Sequence, residues 1–348
     1  MEKELRSLLL PWYDAHRRLL PWRDVRNPYA TWVSEVMLQQ TRVETVRAYY
    51  PRFMARFPDV KALAEAPEEA VLKQWEGLGY YRRARNLQLG AQQVMREYGG
   101  VIPATVPELL RIQGIGAYTA GAIASIAFNQ PVAAVDGNVI RVVSRLMDLR
   151  ENVGIPSVRR SLDAQAAALV DPSRPGDFNQ AMMDLGATIC VPGTPDCDRC
   201  PLRSLCRARA QGDPEELPVL PRKKPPKALD WDVCLLRAGD RLLVRRRTEP
   251  MLEGLWVFPM TEGHRTAAQL PGAVKRLTGL RVTDAEPLGE ARHIFTHQVW
   301  QMKLWALRTE ATAAPEGWRF VTLEELRGLT CPTAMRAAIR AAESLLPR

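Results

Sequence analysis

The sequence predicts a multidomain chain, an all-α region followed by a smaller α+β domain. Three observations carry this expectation: the length, a proline-rich break past residue 211, and a change of hydrophobic period across that break. At 348 residues the chain exceeds what one ordinary helical core organises, whereas two domains can each bury an apolar face. From Lys3 to about Arg209 apolar residues recur at helical spacing between short Pro, Gly or Asp breaks, with no period-2 strand. The stretch 212–230, GDPEELPVLPRKKPPKALD, holds five prolines and a basic cluster. Such composition resists regular structure and suits an extended connector. Beyond it the period becomes two. Trp231 to Arg237 and Arg241 to Arg247 flank an Ala-Gly-Asp turn like hairpin arms, and 299–307 alternates Trp300, Met302 and Leu304 with Gln301, Lys303 and Trp305. Helical patterns return at 323–329 and 333–346, which makes the second domain α+β. The expected boundaries are 1–211, 212–230 and 231–348.

With 46% hydrophobic and 25% charged residues the composition is globular, and no run of 18 apolar residues suggests a membrane span. The N-terminal Met-Glu-Lys-Glu-Leu-Arg lacks the apolar core and cleavage site of an export signal, so a cytoplasmic, nucleoid-associated location is expected. Lysine and arginine number 48 against 39 acids, a formal charge of +9. That excess favours an anionic partner through counterion release from a phosphate backbone, although charge alone does not separate a DNA-binding protein from a merely basic one.

Four of the six cysteines form one short pattern, Cys190-x6-Cys197-x2-Cys200-x5-Cys206, while Cys234 and Cys331 stand alone. A chain without an export signal sits where structural disulfides seldom persist. Thiolate quartets bind zinc or a cubane iron-sulfur group, and the spacing leaves both open. The intervening VPGTPDCDRCPLRSL is rich in turn formers and basic residues, so a metal here staples a loop rather than doing chemistry. The isolated Cys234 and Cys331 read as small buried thiols.

Residues 106–128, VPELLRIQGIGAYTAGAIASIAF, read as helix, Gly-Ile-Gly turn, helix. Gly114 and Gly116 let the backbone turn tightly and bring N–H groups at the second helix's start toward an anion such as phosphate. A structural glycine cap is the plainer alternative.

Two carboxylates stand in contrasting contexts. In TWVSEVMLQQTRVETVRAYY (31–50) apolar residues at helical spacing imply a helix capped by Thr31, with Glu35 among apolar neighbours. Desolvation there raises its pKa, as a general acid requires, and Gln39 one turn on can face the same pocket. Locally, a satisfied polar residue at the stripe's edge explains Glu35 as well. In PVAAVDGNVIRVVSR (131–145), Asp136 reads as the N-cap of a helix, where capping bonds and the positive helix end are expected to lower its pKa. One acid pushed up beside one pushed down is an arrangement that pairs proton donation with stabilisation of a cation, though capping alone accounts for Asp136 locally.

Helix, Gly-Ile-Gly, helix, then VDGNVIRVVSRL, then the four-cysteine loop, in that order, resembles the helix-hairpin-helix DNA glycosylase superfamily that includes endonuclease III. Within it LPWR (20–23), WVSEVMLQQT (32–41), GLGYYRRARNL (77–87) and NQAMMDLGATIC (179–190) are similar to the MutY adenine glycosylases, and the likeness runs nearly the whole chain. It implies a six-helix lobe at about 22–134 and a second lobe, about 1–21 and 135–211, whose cysteines hold a [4Fe-4S] cluster. It implies further that Glu35 protonates adenine N7 and that Asp136 stabilises an oxocarbenium-like sugar and guides water. Trp22, Arg23, Leu38 and Gln180 match positions lining the pocket of the extruded adenine. Asn138 matches a polar neighbour of the catalytic carboxylate, and Gln40 and Tyr80 match residues that wedge into the duplex. Where bifunctional relatives carry a Schiff-base lysine this chain has Tyr118, so strand cleavage by β-elimination is not expected. Ile140 stands where some MutY proteins have lysine. The C-terminal domain resembles the Nudix fold at GLWVFP (254–259) but lacks the acidic REx2EE cluster that Mg²⁺ needs. Phe295-Thr296-His297 match the family's Phe-Ser-His loop, which implies reading of 8-oxoguanine opposite adenine. The resulting expectation is a monomeric repair enzyme acting on double-stranded DNA with A:8-oxoguanine or A:G mispairs, with no membrane partner.

Overall fold

Helical periodicity in the first half of the chain becomes a set of short packed helices, and the period-2 segments become one mixed sheet. The computed structural model describes residues 1–23, 25–222 and 225–346. Lys223 and Lys224 of the expected connector, and the last two residues, lie outside them. The chain divides into two units, Met1–Ala66 with Arg83–Arg222, and Pro67–Arg82 with Lys223–Arg348.

In the first unit the Pro28–Leu38 helix starts at Asn27, whose side chain accepts from the N–H groups of Tyr29 (2.9 Å) and Ala30 (3.1 Å), with proline at the first helical position. The sequence expectation of a Thr31 cap is corrected. An Asn-Pro pair satisfies the free donors one turn earlier, and Thr31 is buried inside the helix. Asp136 does cap the Gly137–Met147 helix, accepting from Val139 N–H at 2.7 Å. Between them runs Ala117–Ile126, with Gly116 as its N-cap. The segment before the Gly-Ile-Gly turn is helical only over Val106–Leu109.

The Pro28–Leu38 helix packs on Ala117–Ile126, and the Pro175–Thr188 helix packs on Ala117–Ile126, Gly137–Met147 and the N-terminal Glu2–His16. One apolar core joins Leu5, Leu9 and Tyr13 to Val142, Leu146, Phe178 and Leu185. The chain's first helix is thereby built into the same core as residues far along the sequence. Gly121 lets the hairpin's second helix approach the 131–135 run, because a Cβ there would stand 2.2 Å from the carbonyl oxygen of Ala133.

In the second unit the strands are β1 (Lys227–Ala238), β2 (Arg241–Arg246), β3 (Trp256–Val257), β4 (Met260–Glu262), β5 (Thr283–Ile294), β6 (Gln298–Arg308) and β7 (Trp318–Val321). The main path runs β3-β2-β1-β6-β5, with β4 on β1 and β7 on β2. Among the described residues only the central β1 and β6 pair in parallel, bringing Val233 opposite Leu304. Alternation supplies two cores. Val233, Leu235, Trp300 and Met302 pack with Ala338 and Ala342 of the Arg336–Leu345 helix. Cys234, Leu236, Trp305 and Leu307 pack with Leu270 and Val274 of the Leu270–Thr278 helix. β1 starts inside the stretch assigned to the connector, since Lys227 to Asp230 find backbone partners along β6.

The short helix Glu68–Trp75 belongs to this unit although it lies within the helical region by sequence. Lys73 Nζ donates to the carbonyls of Arg327 (2.9 Å) and Leu329 (3.1 Å), Glu68 pairs with Arg246 (2.6 Å), and Glu76 accepts from Cys331 N–H (3.0 Å). None of these ties repeats at a helical spacing, so periodicity could not show them.

The two hairpin glycines differ in kind. Gly114 has φ 83 and an added Cβ would meet Asn86 Cβ at 2.8 Å, whereas Gly116 has φ −95 and open space around it. Gly114→Ala is expected to destabilise the protein by about 1–3 kcal/mol, and Gly116→Ala by no more than about 1 kcal/mol as a poorer cap. Urea unfolding followed by far-ultraviolet circular dichroism measures both; equal losses would contradict the assignment.

Candidate active site

Packing of three helices brings the two carboxylates to one cavity of about 550 Å³ in the first unit. Glu35, Leu38, Gln39 and Gln40 reach it from the end of Pro28–Leu38, Gly116 and Tyr118 from the hairpin, and Asp136 and Asn138 from the next helix start. Trp22, Arg23 and Gln180 complete the wall. Gly114 supports the turn without lining the cavity. Tyr80, Phe295, Thr296 and His297 belong to the second unit.

Glu35 is buried and accepts a short hydrogen bond from the Tyr118 hydroxyl. Burial pushes its carboxyl up to about 7, against the opposing pull of the Tyr118 bond, with Asp136 adding to the rise and Arg23 countering it. The same burial, with Glu35 beside it, drives the Tyr118 phenol well above its ordinary range, so it stays a donor. Asp136 accepts from Val139 N–H at 2.7 Å and from Asn138 Nδ2 at 2.8 Å, using both oxygens as a carboxylate does. The expectation that capping lowers its pKa is corrected. Burial outweighs the bonds from Val139 and Asn138 and the field of Arg141, and the group is raised from 3.8.

Behind this front stand residues that sequence reasoning passed over. Asp184 is buried, pairs with Arg23 through both oxygens and binds Arg18 Nε at 2.7 Å. These arginines hold its carboxyl below the usual range even though burial pushes the other way. Arg23 is thus fixed in place beside Trp22. The signal was available: an acid inside the apolar NQAMMDLG resembles Glu35 inside WVSEVML. Thr119 accepts from Gln39 Nε2 at 3.3 Å. Arg141 bonds Asn138 Oδ1 (2.8 Å), the carbonyl of Gly186 (2.7 Å) and the carbonyl of Cys190 (2.7 Å).

Cys190, Cys197, Cys200 and Cys206 line one small cavity with the buried Arg145, whose Nη1 donates to Cys190 Sγ at 3.3 Å. All four are free thiols. Burial raises the thiols of Cys197, Cys200 and Cys206, and Arg145, Arg203 and Arg209 line the same cavity. Among the described residues no three His, Cys, Asp or Glu side chains close on one point as ligands of a single ion do. Four cysteine sulfurs around one cavity are a donor set for a sulfur-ligated metal group.

In the second unit Phe295, Thr296 and His297 form the tight turn between β5 and β6, closed by Phe295 N–H to Gln298 O at 2.8 Å. Phe295 sits edge-on to Trp300 (4.9 Å) and His293 (4.4 Å). Thr296 is left exposed, with its hydroxyl 2.5 Å from the Tyr80 hydroxyl. Tyr80 holds φ 48, a left-handed backbone that few tyrosines adopt.

A glycine-turned helical hairpin beside a proton-holding carboxyl and a capped aspartate defines a base-excision glycosylase of the helix-hairpin-helix class. Residues 33–163 match the family model of the HhH-GPD superfamily base excision DNA repair protein, and residues 232–341 match the NUDIX domain. The first unit is similar to a thermostable thymine-DNA glycosylase (TM-score 0.54, 29% identity, 60% of this chain and 97% of that one). It is likewise similar to endonuclease III in a non-covalent DNA complex (0.51, 25%, 61% and 98%). Along its length the chain is 38% identical to the adenine DNA glycosylase of Mus musculus, over 96% of this chain and 77% of that protein. With the Homo sapiens enzyme the identity is 38%, over 98% and 74%. The chain belongs to the adenine DNA glycosylase family. Among the described residues no helix is long and apolar enough to cross a membrane.

The raised Glu35 pKa makes stability depend on pH. Below its ordinary value of 4.5 the carboxyl is protonated folded or unfolded; between 4.5 and about 7 only the unfolded chain ionises, which favours unfolding progressively until the folded form ionises too. Glu35→Gln removes this penalty. Its stability relative to the natural protein is expected to rise by about 3 kcal/mol from pH 4.5 to pH 8. Urea unfolding across that range measures it, and a pH-independent difference would contradict the raised pKa.

Proposed function

We propose that this chain hydrolyses the N-glycosidic bond of adenine mispaired with 8-oxoguanine or guanine in double-stranded DNA. The observation that carries the proposal is the shared cavity in which Glu35 holds a proton near neutral pH and Asp136 presents two hydrogen-bonded oxygens. An adenine inside a base stack is out of reach, so the nucleotide is extruded, with Gln40 and Tyr80 as wedges and Gly114 and Gly116 turning backbone N–H groups toward phosphate. Trp22, Arg23, Leu38 and Gln180 receive the base. Glu35 gives its proton to adenine N7, so that the C1′–N9 bonding pair leaves with a neutral base. Asp136, held in place by Asn138, faces the positive charge that develops on the sugar and guides water to C1′; the oxygen bonds there and its proton passes to Asp136 or to solvent. Tyr118 carries no amine, so no imine forms and the strand is left intact.

The four cysteines hold a [4Fe-4S] cluster that braces the loop and takes no part in bond breaking. Bound there, the cluster would join the four thiolates and cross-link the loop. The second unit reads the opposite base, Thr296 offering a hydroxyl and His297 a ring where the family has serine and histidine. Nucleotide hydrolysis is not part of its work, since the Leu270–Thr278 helix, LPGAVKRLT, carries no carboxylate for a cation. The protein works as a monomer in the cytoplasm, on the nucleoid.

Single-turnover reactions on duplexes with adenine opposite 8-oxoguanine, G, C or T test this reading. Release is expected opposite the first two, with a loss of about 10²-fold or more in both Glu35→Gln and Asp136→Asn; full activity in either variant would overturn the mechanism. Strands are expected to break only after alkali, and a nick without it would refute a monofunctional enzyme. Metal analysis of the purified protein is expected to give about four irons per chain with inorganic sulfide. Zinc with no sulfide would refute the cluster.

A further inference from the structure

The helix that presents Glu35 ends at Leu38, and its last carbonyls have no partner within the helix. The Leu38 carbonyl accepts from Thr41 N–H at 3.2 Å, and one side chain takes the two before it. Arg83, at the start of the Arg82–Tyr98 helix, donates through Nη1 to the carbonyls of Val36 (2.8 Å), Met37 (3.0 Å) and Gln39. Through Nη2 it donates to Thr41 Oγ1 at 3.1 Å. The cation also meets the negative pole of that helix.

Between the clamped residues stands Gln40, exposed, with φ 56 in the left-handed region. Such a backbone persists only where its surroundings over-determine it. Here one guanidinium binds the residue before it and the residue after it, while Gln39 is tied across the cavity to Thr119. A planar fork with several donors can span these acceptors; an ammonium is a single centre. Gln40 and Thr41 both line the Glu35–Asp136 cavity.

We infer that Arg83 is a positioning residue for base extrusion, holding the Gln40 turn in the shape that enters the duplex. The inference rests on Gln40 acting as a wedge and assigns what keeps it poised. Arg83 does its work through the turn, away from base and sugar.

The test uses the full-length protein and a duplex with adenine, or 2-aminopurine in its place, opposite 8-oxoguanine. Arg83→Lys is expected to slow single-turnover adenine release about tenfold or more. The 2-aminopurine fluorescence rise is expected to fall in step, with the pH midpoint of the reaction unchanged. Gln40→Ala is expected to impair extrusion, and the double variant to be no slower than Gln40→Ala alone, because both act through one turn. Thr41→Val, which removes one of the four acceptors, is expected to show the same pattern at smaller amplitude even where Arg83→Lys does not fold. Normal extrusion by Arg83→Lys, or losses that multiply in the double variant, would overturn the inference. Unimpaired extrusion by Gln40→Ala would instead remove the wedge reading beneath it.

Discussion

The first unit turns on one uncomfortable fact, a carboxyl group buried on an apolar helix and facing the cavity that Tyr118 and Met183 also line. A charge there would cost several kcal/mol without a partner. The protein resolves this by leaving the group able to stay protonated, with a single phenol as its hydrogen-bond donor among the described residues. Arg23 is near enough to lower the pKa, but both of its terminal nitrogens are committed to Asp184. The Arg18–Arg23–Asp184 network fixes the wall that carries Trp22.

Much of this was legible in the sequence because it follows from period and spacing. An acid at an apolar helical position, a glycine pair between two helical runs and four clustered cysteines each carry a physical meaning in the order of residues alone. Local chemistry fared less well wherever tertiary burial entered. Asn27 outcompeted Thr31 as the cap because proline follows it. For Asp136 the capping bonds are present as expected, yet the direction of its pKa is set by burial in the folded unit, which no local window contains. Asp184 was missed although it obeys the same rule that singled out Glu35. The attachment of Glu68–Trp75 to the second unit depends on partners more than 170 positions away.

Glu35 and Tyr118 also explain each other's state. A lysine in place of Tyr118 would bring a cation against Glu35 and pull its proton off, so a neutral acid and an amine nucleophile compete for this position. The phenol donates a hydrogen bond without carrying charge, and its own raised pKa keeps it a donor.

The Gly137–Met147 helix carries the argument away from the cavity. Its first turn places Asp136 and Asn138; its second places Arg141, which grips Asn138 and the carbonyl of Cys190; its third places Arg145, fully buried against Cys190 Sγ, Val191 O and Leu217 O. Spacings of three and four residues put these groups on one helical face. The four-cysteine loop is thus bonded to the same rigid rod that aims the aspartate. Loosening the loop removes one acceptor of Arg141, the carbonyl of Cys190, and leaves the side chain that bonds Asn138 held by the carbonyl of Gly186 alone. The cysteine loop and the capped aspartate are thereby mechanically linked through one helix.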